Sequence, residues 1–528
     1  MKIFFLAFFL CLAIPVFGQF PYIKWFFDTE DMAFGNAACA DIDKDDTLEI
    51  VFGCYRNDSN IYALNAEDGS LLWHYNTGGC NDVAPLIYDV NGNNQLEVIV
   101  PSSCVPKTFC LDGTTGGLNW YVNTRGSDSP PTLADMDNDG ALEILHGEFG
   151  GYVLCINADT GKVAWEIAVD LNSWIQTAPV IVDLNMDGQL DFVVANWNFD
   201  TSHTVFAYDG ATQGLLWKNH LPNDYMYHGA SVADLDGDKK PELVIGCYDG
   251  TVYVFNGEDG SLAWQYGFSP SYYVGAPTSI ADFNNDGYYE IIFFDWYKAG
   301  MLSHDGNLLW QYDIPSYGTA FRGAAVSDIN GDDTLDVVFG TDKGHLIALN
   351  GSSGSLIWIM DLAAHYGGVF EIDHGPIIAD FDNDGMMDVF VVGGHAEYPD
   401  IWNNYGRAYA IAAGVGTGPE WPMFRRDIRR TACVPIDSTN FVNPHKPEKS
   451  LQPLIMPNPV TGDSRITFNN GKSLQAVLNV FTVTGSLVVT ETTYDNIFNV
   501  GSYNLVPGVY HFQIRTEETS FAGKFMVR

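Results

Sequence analysis

Short apolar runs, broken at regular intervals by acidic loops and Gly-bearing turns, set the pattern of this chain from residue 35 to about 413. In the first unit a small apolar run ends in the loop Ala40-Asp41-Ile42-Asp43-Lys44-Asp45-Asp46-Thr47-Leu48-Glu49, and the run Glu49-Ile50-Val51-Phe52 follows at once. After a polar connection comes Ile61-Tyr62-Ala63-Leu64-Asn65, then the turn Glu67-Asp68-Gly69-Ser70 and a strand carrying Trp73. Brief apolar stretches bounded by Gly, Asn and Asp read as β-strands, and an Asp-Gly turn between two of them reads as a hairpin. The unit therefore predicts four strands.

Such loops begin at Asp41, Asp89, Asp135, Asp183, Asp234, Asp282, Asp328 and Asp380, 46 to 52 residues apart. That period suits the four-stranded blade of a β-propeller and is too long for the shorter solenoid repeats. One tryptophan closes each of seven repeats: Trp73, Trp120, Trp165, Trp217, Trp264, Trp310 and Trp358. Trp25, in Tyr22-Ile23-Lys24-Trp25-Phe26-Phe27, marks the same kind of strand with no blade before it. It is expected to supply the fourth strand of an eighth blade, because closing the ring removes exposed strand edges. Trp421 is the competing candidate; otherwise its segment is a tail packed against the ring. The expected fold class is all-β, an eight-bladed (alternatively seven-bladed) β-propeller followed by a small β-sandwich.

Each loop places Asp or Asn at positions 1, 3 and 5 and Asp or Glu at position 9. The candidate metal ligands are Asp41, Asp43, Asp45 and Glu49; Asp89, Asn91, Asn93 and Glu97; Asp135, Asp137, Asp139 and Glu143; Asp183, Asn185, Asp187 and Asp191; Asp234, Asp236, Asp238 and Glu242; Asp282, Asn284, Asp286 and Glu290; Asp328, Asn330, Asp332 and Asp336; and Asp380, Asp382, Asp384 and Asp388. Oxygens so spaced can converge on a hard cation with the carbonyl of position 7, and calcium is the expected ion. Position 6 needs a tight bend; it is Gly140, Gly188, Gly287 and Gly385 in four loops, but Asp46, Asn94, Lys239 and Asp333 in the others. The second loop has the fewest carboxylates and is expected to bind most weakly.

At 528 residues, with 25 Lys and Arg against 66 Asp and Glu, the net charge is −41. Such a field repels nucleic acid and anionic membrane and attracts divalent cations. Met1-Lys2, the apolar run to Phe17 and Gly18 read as a signal peptide over 1–18, and no later stretch is long and apolar enough to span a bilayer. The expected domains are the propeller over 19–430, a Pro-rich linker over 431–450 and a β-domain over 451–528. Cys104 and Cys110 are close enough in sequence to staple one loop.

If the acidic loops join first to second strands on one face, the second-to-third and inter-blade connections emerge on the other. Trp197, Trp296 and Trp402 fall in the former connections and Trp174 in the latter, with Tyr225, Tyr227, Tyr248, Tyr272 and Tyr273 in the same two sets. Together with His228, Arg322 and His374, which begin first strands near the expected axis, they form a candidate ligand face. No nucleophile elbow, P-loop, dinucleotide fingerprint or two-His zinc helix appears. The chain reads as a binding protein for an extracellular polysaccharide or protein rather than an enzyme.

The acidic loops with their flanking strands resemble the FG-GAP or VCBS repeats of integrin α propellers. Segments such as Ile156-Asn157-Ala158-Asp159-Thr160-Gly161-Lys162-Val163-Ala164-Trp165 resemble quinoprotein (PQQ-like) repeats. The latter resemblance implies redox chemistry only with the adjacent Cys-Cys pair of such dehydrogenases, which is missing here. A rhamnogalacturonan lyase of similar form is the alternative function, with His228, His374 or Tyr227 as its base. Met456-Pro457-Asn458-Pro459, Val483-Thr484-Gly485, Pro507-Gly508-Val509-Tyr510 and the ending Lys524-Phe525-Met526-Val527-Arg528 resemble, in order, the type A C-terminal sorting domain of the Bacteroidota type IX secretion system. That resemblance implies the type IX machinery as partner, passage through periplasm and outer membrane, and a secreted or cell-surface location.

Overall fold

The structure, a computed structural model, describes residues 21–199, 202–267 and 272–434, and, within the C-terminal part, 454–456, 460, 464–467, 475–482, 487–494, 497–503, 505–516 and 520–527. The leader expected at 1–18 and most of the linker lie outside the described residues. The chain folds as two units, 1–439 and 440–528.

The first unit is a β-propeller of eight antiparallel sheets, seven of four strands and one of five. Blade 1 comprises Ala38–Ala40, Glu49–Gly53, Asn60–Asn65 and Leu71–Asn76, and blades 2 to 7 repeat the pattern over 86–123, 132–168, 180–219, 231–267, 279–313 and 325–361. The second strand of each blade is covered on both faces by neighbouring blades, so Glu49–Gly53 and its counterparts are buried throughout and read as unbroken apolar runs. The fourth strand alternates exposed and covered positions, as in Leu71–Asn76.

Blade 8 combines Ile377–Ala379, Met387–His395 and Tyr405–Gly414 with Tyr22–Thr29 from the other end of the unit. The N-terminal strand thus closes the ring. Trp421 lies elsewhere: Thr417–Trp421 adds a fifth strand to the inner edge of blade 7. Closure is reinforced by a repeated contact in which six of the eight fourth-strand tryptophans donate to a carbonyl of the next blade. Trp73 reaches Gly113 O at 2.5 Å, Trp217 reaches Gly257 O at 2.7 Å and Trp310 reaches Gly351 O at 2.6 Å. Trp25 makes the same bond to Ala66 O of blade 1, at 2.8 Å, across the closure. The turn beneath each ring needs glycine: Gly69 has φ +73°, and a Cβ there would lie 2.5 Å from the Trp25 ring. At the equivalent place in blade 4 stands Gln213 (φ 56°), and Trp165 stacks on Phe192 instead.

Residues 422–434 fill the axial channel. Backbone bonds join Pro422 to Ile378, Arg429 to Leu133 and Ala432 and Val434 to Val232. The buried Arg425 donates to the carbonyls of Pro179 (2.9 Å) and Ala230 (3.2 Å), and Arg430 to those of Pro85 (2.7 Å), Ala37 (2.9 Å) and Phe424 (2.7 Å). With Trp421 on Val326, this tail bonds to seven of the eight blades at or beside their innermost strands. It runs in the channel to Val434, four residues past the boundary that composition placed at 430.

The second unit has a three-stranded sheet (Leu454–Met456, Arg465–Thr467, Ile497–Phe498) and a four-stranded sheet (Leu487–Thr493, Ala476–Thr482, Gly508–Arg515, Ser520–Val527). Ile466, Leu478, Val480, Phe498, Phe512 and Phe525 form its core, a small β-sandwich.

Candidate functional site

The eight acidic loops share one conformation. Position 6 is left-handed in all of them, from φ 63° at Asp333 to 89° at Gly188 and Gly287, and its amide donates to the position 1 carboxylate in seven, as Gly140 does to Asp135 at 3.0 Å. Position 4 is left-handed too, including Lys44, Asn138, Met186 and Asn383. The sequence marks this second bend in six loops, by Gly92, Gly237 and Gly331 and by Asn138, Asn285 and Asn383, which tolerate the left-handed region, but not at Lys44 or Met186.

The position 9 carboxylates are buried in every loop, Glu49, Asp191 and Asp336 fully and the others nearly so, and at position 1 Asp183 and Asp328 are buried too. One oxygen of each accepts the amide of position 2, as Glu49 Oε2 does from Ile42 at 2.6 Å. Glu49 Oε1 and Asp191 Oδ1 have no hydrogen-bond partner among the described residues. Burial, reinforced by the other loop carboxylates, pushes Glu49, Glu143 and Asp191 up to about 7 and Glu242 up to about 8. An orphaned buried oxygen facing further carboxylates is an arrangement that a metal ion would satisfy. In four loops three carboxylate oxygens already lie within 4.8 Å of one another: Asp41, Asp43 and Asp45; Asp135, Asp137 and Glu143; Asp234, Asp236 and Glu242; Asp380, Asp382 and Asp388. These are the loops with Asp rather than Asn at position 3. In the second and sixth loops the Asn91 and Asn284 amides instead donate to Glu97 and Glu290, at 2.8 and 2.9 Å.

The eighth loop differs in another way. Lys24, from the ring-closing strand, donates to Asp382 Oδ2 and Asp388 Oδ2, both at 2.8 Å. Burial raises Asp388 to about 6, with Lys24 pulling the other way.

On the opposite face a cavity of about 700 Å³ is lined by Trp197, Tyr225, Tyr248, Tyr273, Trp296 and Phe321 and by Asp224, Thr319, Asp342, Glu371 and Asp373. The rings form a continuous run across three blades. Trp197 stacks on Tyr225 at 4.0 Å, Tyr248 lies 4.9 Å from Tyr273, and Tyr273 lies 4.6 Å from Trp296. Trp296 holds a left-handed backbone, φ 37°, fixed by the bond from Ala320 N to its carbonyl at 2.9 Å. Strain in so bulky a residue marks a place the surroundings over-determine. Nearby, Arg322 lies over Tyr227 and Phe321 at 5.3 and 5.0 Å. Burial and the neighbouring Asp82 raise Asp128 to about 7; Asp82, Asp373 and Glu371 are also raised, chiefly by burial.

Of the expected ligand-face residues, Trp197 and Trp296 line this cavity, and Tyr227 and Arg322 pack beside it. Trp174 pairs with Trp197 in a two-stranded ribbon and contacts Phe149 and Phe199 outside the cavity. Trp402 is 79% exposed on a separate loop. His228 and His374 are buried, and burial lowers both, His374 to about 3; each is a neutral imidazole inside the ring, not a group on the ligand face. The sequence reading missed Asp373, Phe321, Asp342, Glu371, Asp224 and Thr319. Asp373 and Phe321 each stand one residue before an expected ligand-face residue. The staple expected between Cys104 and Cys110 is instead Cys80–Cys104. Cys110 points into the core beside Leu86 and Ile99, while the disulfide braces two connections next to Asp82.

Residues 454–528 match the secretion system C-terminal sorting domain. The protein is therefore exported by type IX secretion to the cell surface or the extracellular space, and no helix among the described residues is long and apolar enough to cross a membrane. Within the propeller, residues 183–245 and 234–293 match the FG-GAP-like repeat, and 298–410 match the family of the outer membrane protein assembly factor BamB. Tetrathionate hydrolase of Acidithiobacillus ferrooxidans is 24% identical over 31% of this chain and 32% of its own, and the rhamnogalacturonan exolyase YesX of Bacillus subtilis is 24% identical over 35% and 32%. The chain spans about a third of the length of these relatives. Among solved structures, the V. cholerae biofilm matrix protein Bap1 superposes with a TM-score of 0.59 at 16% identity, over 79% of this chain and 96% of that one. At that identity the likeness is one of fold.

Proposed function

We propose that this secreted propeller binds calcium in its acidic loops and, on the opposite face, an extracellular polysaccharide. The observation that carries the second part is the run of rings from Trp197 to Trp296 in a cavity also lined by carboxylates. Aromatic faces stack on the apolar faces of sugar rings, and carboxylates accept from sugar hydroxyls. Calcium suits the loops because their donors are hard oxygens, with an unsatisfied buried carboxylate oxygen at Glu49, Asp191 and Asp336; the ion locks the first two strands of a blade and does no chemistry.

The lyase reading needs a base beside a metal-neutralised uronate. His228 and His374 are buried, and the carboxylates lining the cavity repel a uronate, so binding without cleavage is the better-supported function.

Two measurements test the proposal. Elemental analysis of the purified protein should find several calcium ions per chain, and chelator should lower the melting temperature; a metal-free protein with unchanged melting refutes the calcium assignment. On a glycan array the protein should retain a defined set of oligosaccharides, with retention lost in Trp197→Ala and Trp296→Ala. Retention undiminished in both variants would place glycan binding elsewhere.

A further inference from the structure

The cavity carries a charge imbalance that a neutral sugar does not answer. None of its lining residues is basic, while Asp224, Asp342, Glu371 and Asp373 all face it. Arg322 lies beside the cavity with its guanidinium over Tyr227 and Phe321, and the His395 ring lies 3.1 Å from Glu371. Asp342 accepts only an amide, Thr319 N at 2.7 Å, and Asp224 accepts Tyr225 N at 2.8 Å. A carboxylate held by one backbone amide has spare acceptor sites.

Carboxylate oxygens converge within 4.8 Å in four of the acidic loops but in no group of three within this cavity, among the described residues. Its carboxylates are spread around a space of about 700 Å³ and interleaved with six aromatic rings. Dispersed carboxylates and ring faces together suit an organic cation, since the ring quadrupole attracts ammonium groups. Its extent decides between a single side chain and a longer ligand: rings in contact from blade 4 to blade 6 offer successive stacking places, whereas one lysine would fill one of them.

We infer that the cavity recognises a polysaccharide bearing free amines, an amino-sugar polymer whose ammonium groups meet Asp342, Glu371 and Asp373 while its rings stack along Trp197, Tyr273 and Trp296. This rests on the polysaccharide reading above and narrows it to a cationic class.

The test uses the full chain with calcium and four probes, followed by calorimetry and tryptophan fluorescence: a glucosamine hexamer with free amines, its fully N-acetylated counterpart, a galacturonate hexamer and hexalysine. The free-amine hexamer should bind about tenfold more tightly than the acetylated one. Its affinity should fall with added salt and with pH raised past the amine's pKa, because both remove the ionic part. Asp342→Asn and Glu371→Gln should each weaken that hexamer about three- to tenfold, more than they weaken the acetylated hexamer, while leaving melting temperature unchanged. Equal affinity for the two hexamers would overturn the cationic assignment and leave the polysaccharide reading standing. Tight binding of hexalysine without either sugar would overturn both in favour of a polypeptide partner. Binding of the galacturonate hexamer alone would overturn the inference and restore the lyase reading, and binding of none of the probes would remove this cavity as a site for either.

Discussion

His374 is 1% exposed beside the axial channel, and burial with the nearby Arg322 and Arg430 lowers it from its ordinary 6.5 to about 3. The folded protein therefore refuses a proton that the unfolded chain accepts once pH falls below about 6.5, so this residue's stabilising contribution is complete above that value and is lost progressively toward pH 3. At pH 4.5 the loss amounts to about 3 kcal/mol from this one group. His228 acts in the same direction. Other carboxylates titrate over the same interval, so the informative quantity is a difference between two proteins. Urea midpoints of the native chain and of His374→Leu, at pH 7 and pH 4.5, should show the native chain losing about 3 kcal/mol more than the variant on acidification. An equal loss in both would mean that the imidazole is not held neutral. The same residue shows how a sequence reading errs by one position: 374 was selected as a ligand-face group, but it is Asp373 that faces the cavity.

Each fourth strand contains a β-bulge one residue before its tryptophan, so a single residue is left out of register: Leu72, Asn119, Ala164, Leu216, Ala263, Leu309 and Ile357 in blades 1 to 7. In blade 8 the bulged residue is Lys24. A bulge re-aims its side chain, and here it delivers an ammonium to Asp382 and Asp388. The eighth loop thus carries its cation on the ring-closing strand. Lys24→Met should cost about 3 kcal/mol in calcium-free buffer, because Asp388 is buried and loses its partner. In saturating calcium the variant should bind one more ion per chain than the native protein, counted by elemental analysis. An unchanged count would mean that the loop takes calcium beside the lysine, or takes none in either protein. Much of this element was legible in the sequence: the period, the four-strand unit, the closing role of Trp25 and the bend at position 6 all follow from residue type and spacing. The bulge was not, because a one-residue register shift leaves no mark in an apolar run, and neither was the destination of Lys24, which depends on a loop some 360 residues away.

At the scale of the whole molecule the ring is held at two places that a propeller of bare blades lacks, the Trp25 seam at its rim and the 422–434 tail at its axis. The sequence reads this segment as a tail packed against the ring and starts the linker at 431, and arginines usually face water. The fold buries two of them, Arg425 and Arg430. The innermost strands are three or four residues long in blades 1 to 7, and carbonyls beside them point into a channel with no further strand to meet. A guanidinium offers five donors in a fixed fork, which lets Arg430 serve Ala37, Pro85 and Phe424 at once. Arg430→Ala would leave the Ala37 and Pro85 carbonyls buried and unpaired, at about 1–3 kcal/mol each. Arg430→Lys should recover less than half of that loss, because one ammonium on a flexible stem does not reproduce the fork. Since the tail binds seven blades, the destabilisation should be global: hydrogen exchange should quicken in inner strands of blades as far apart as 2 and 5, and the urea midpoint should fall without a second transition. Faster exchange confined to blades 1 and 2, where Arg430 bonds, would mean that the tail fills the channel without coupling the blades around it.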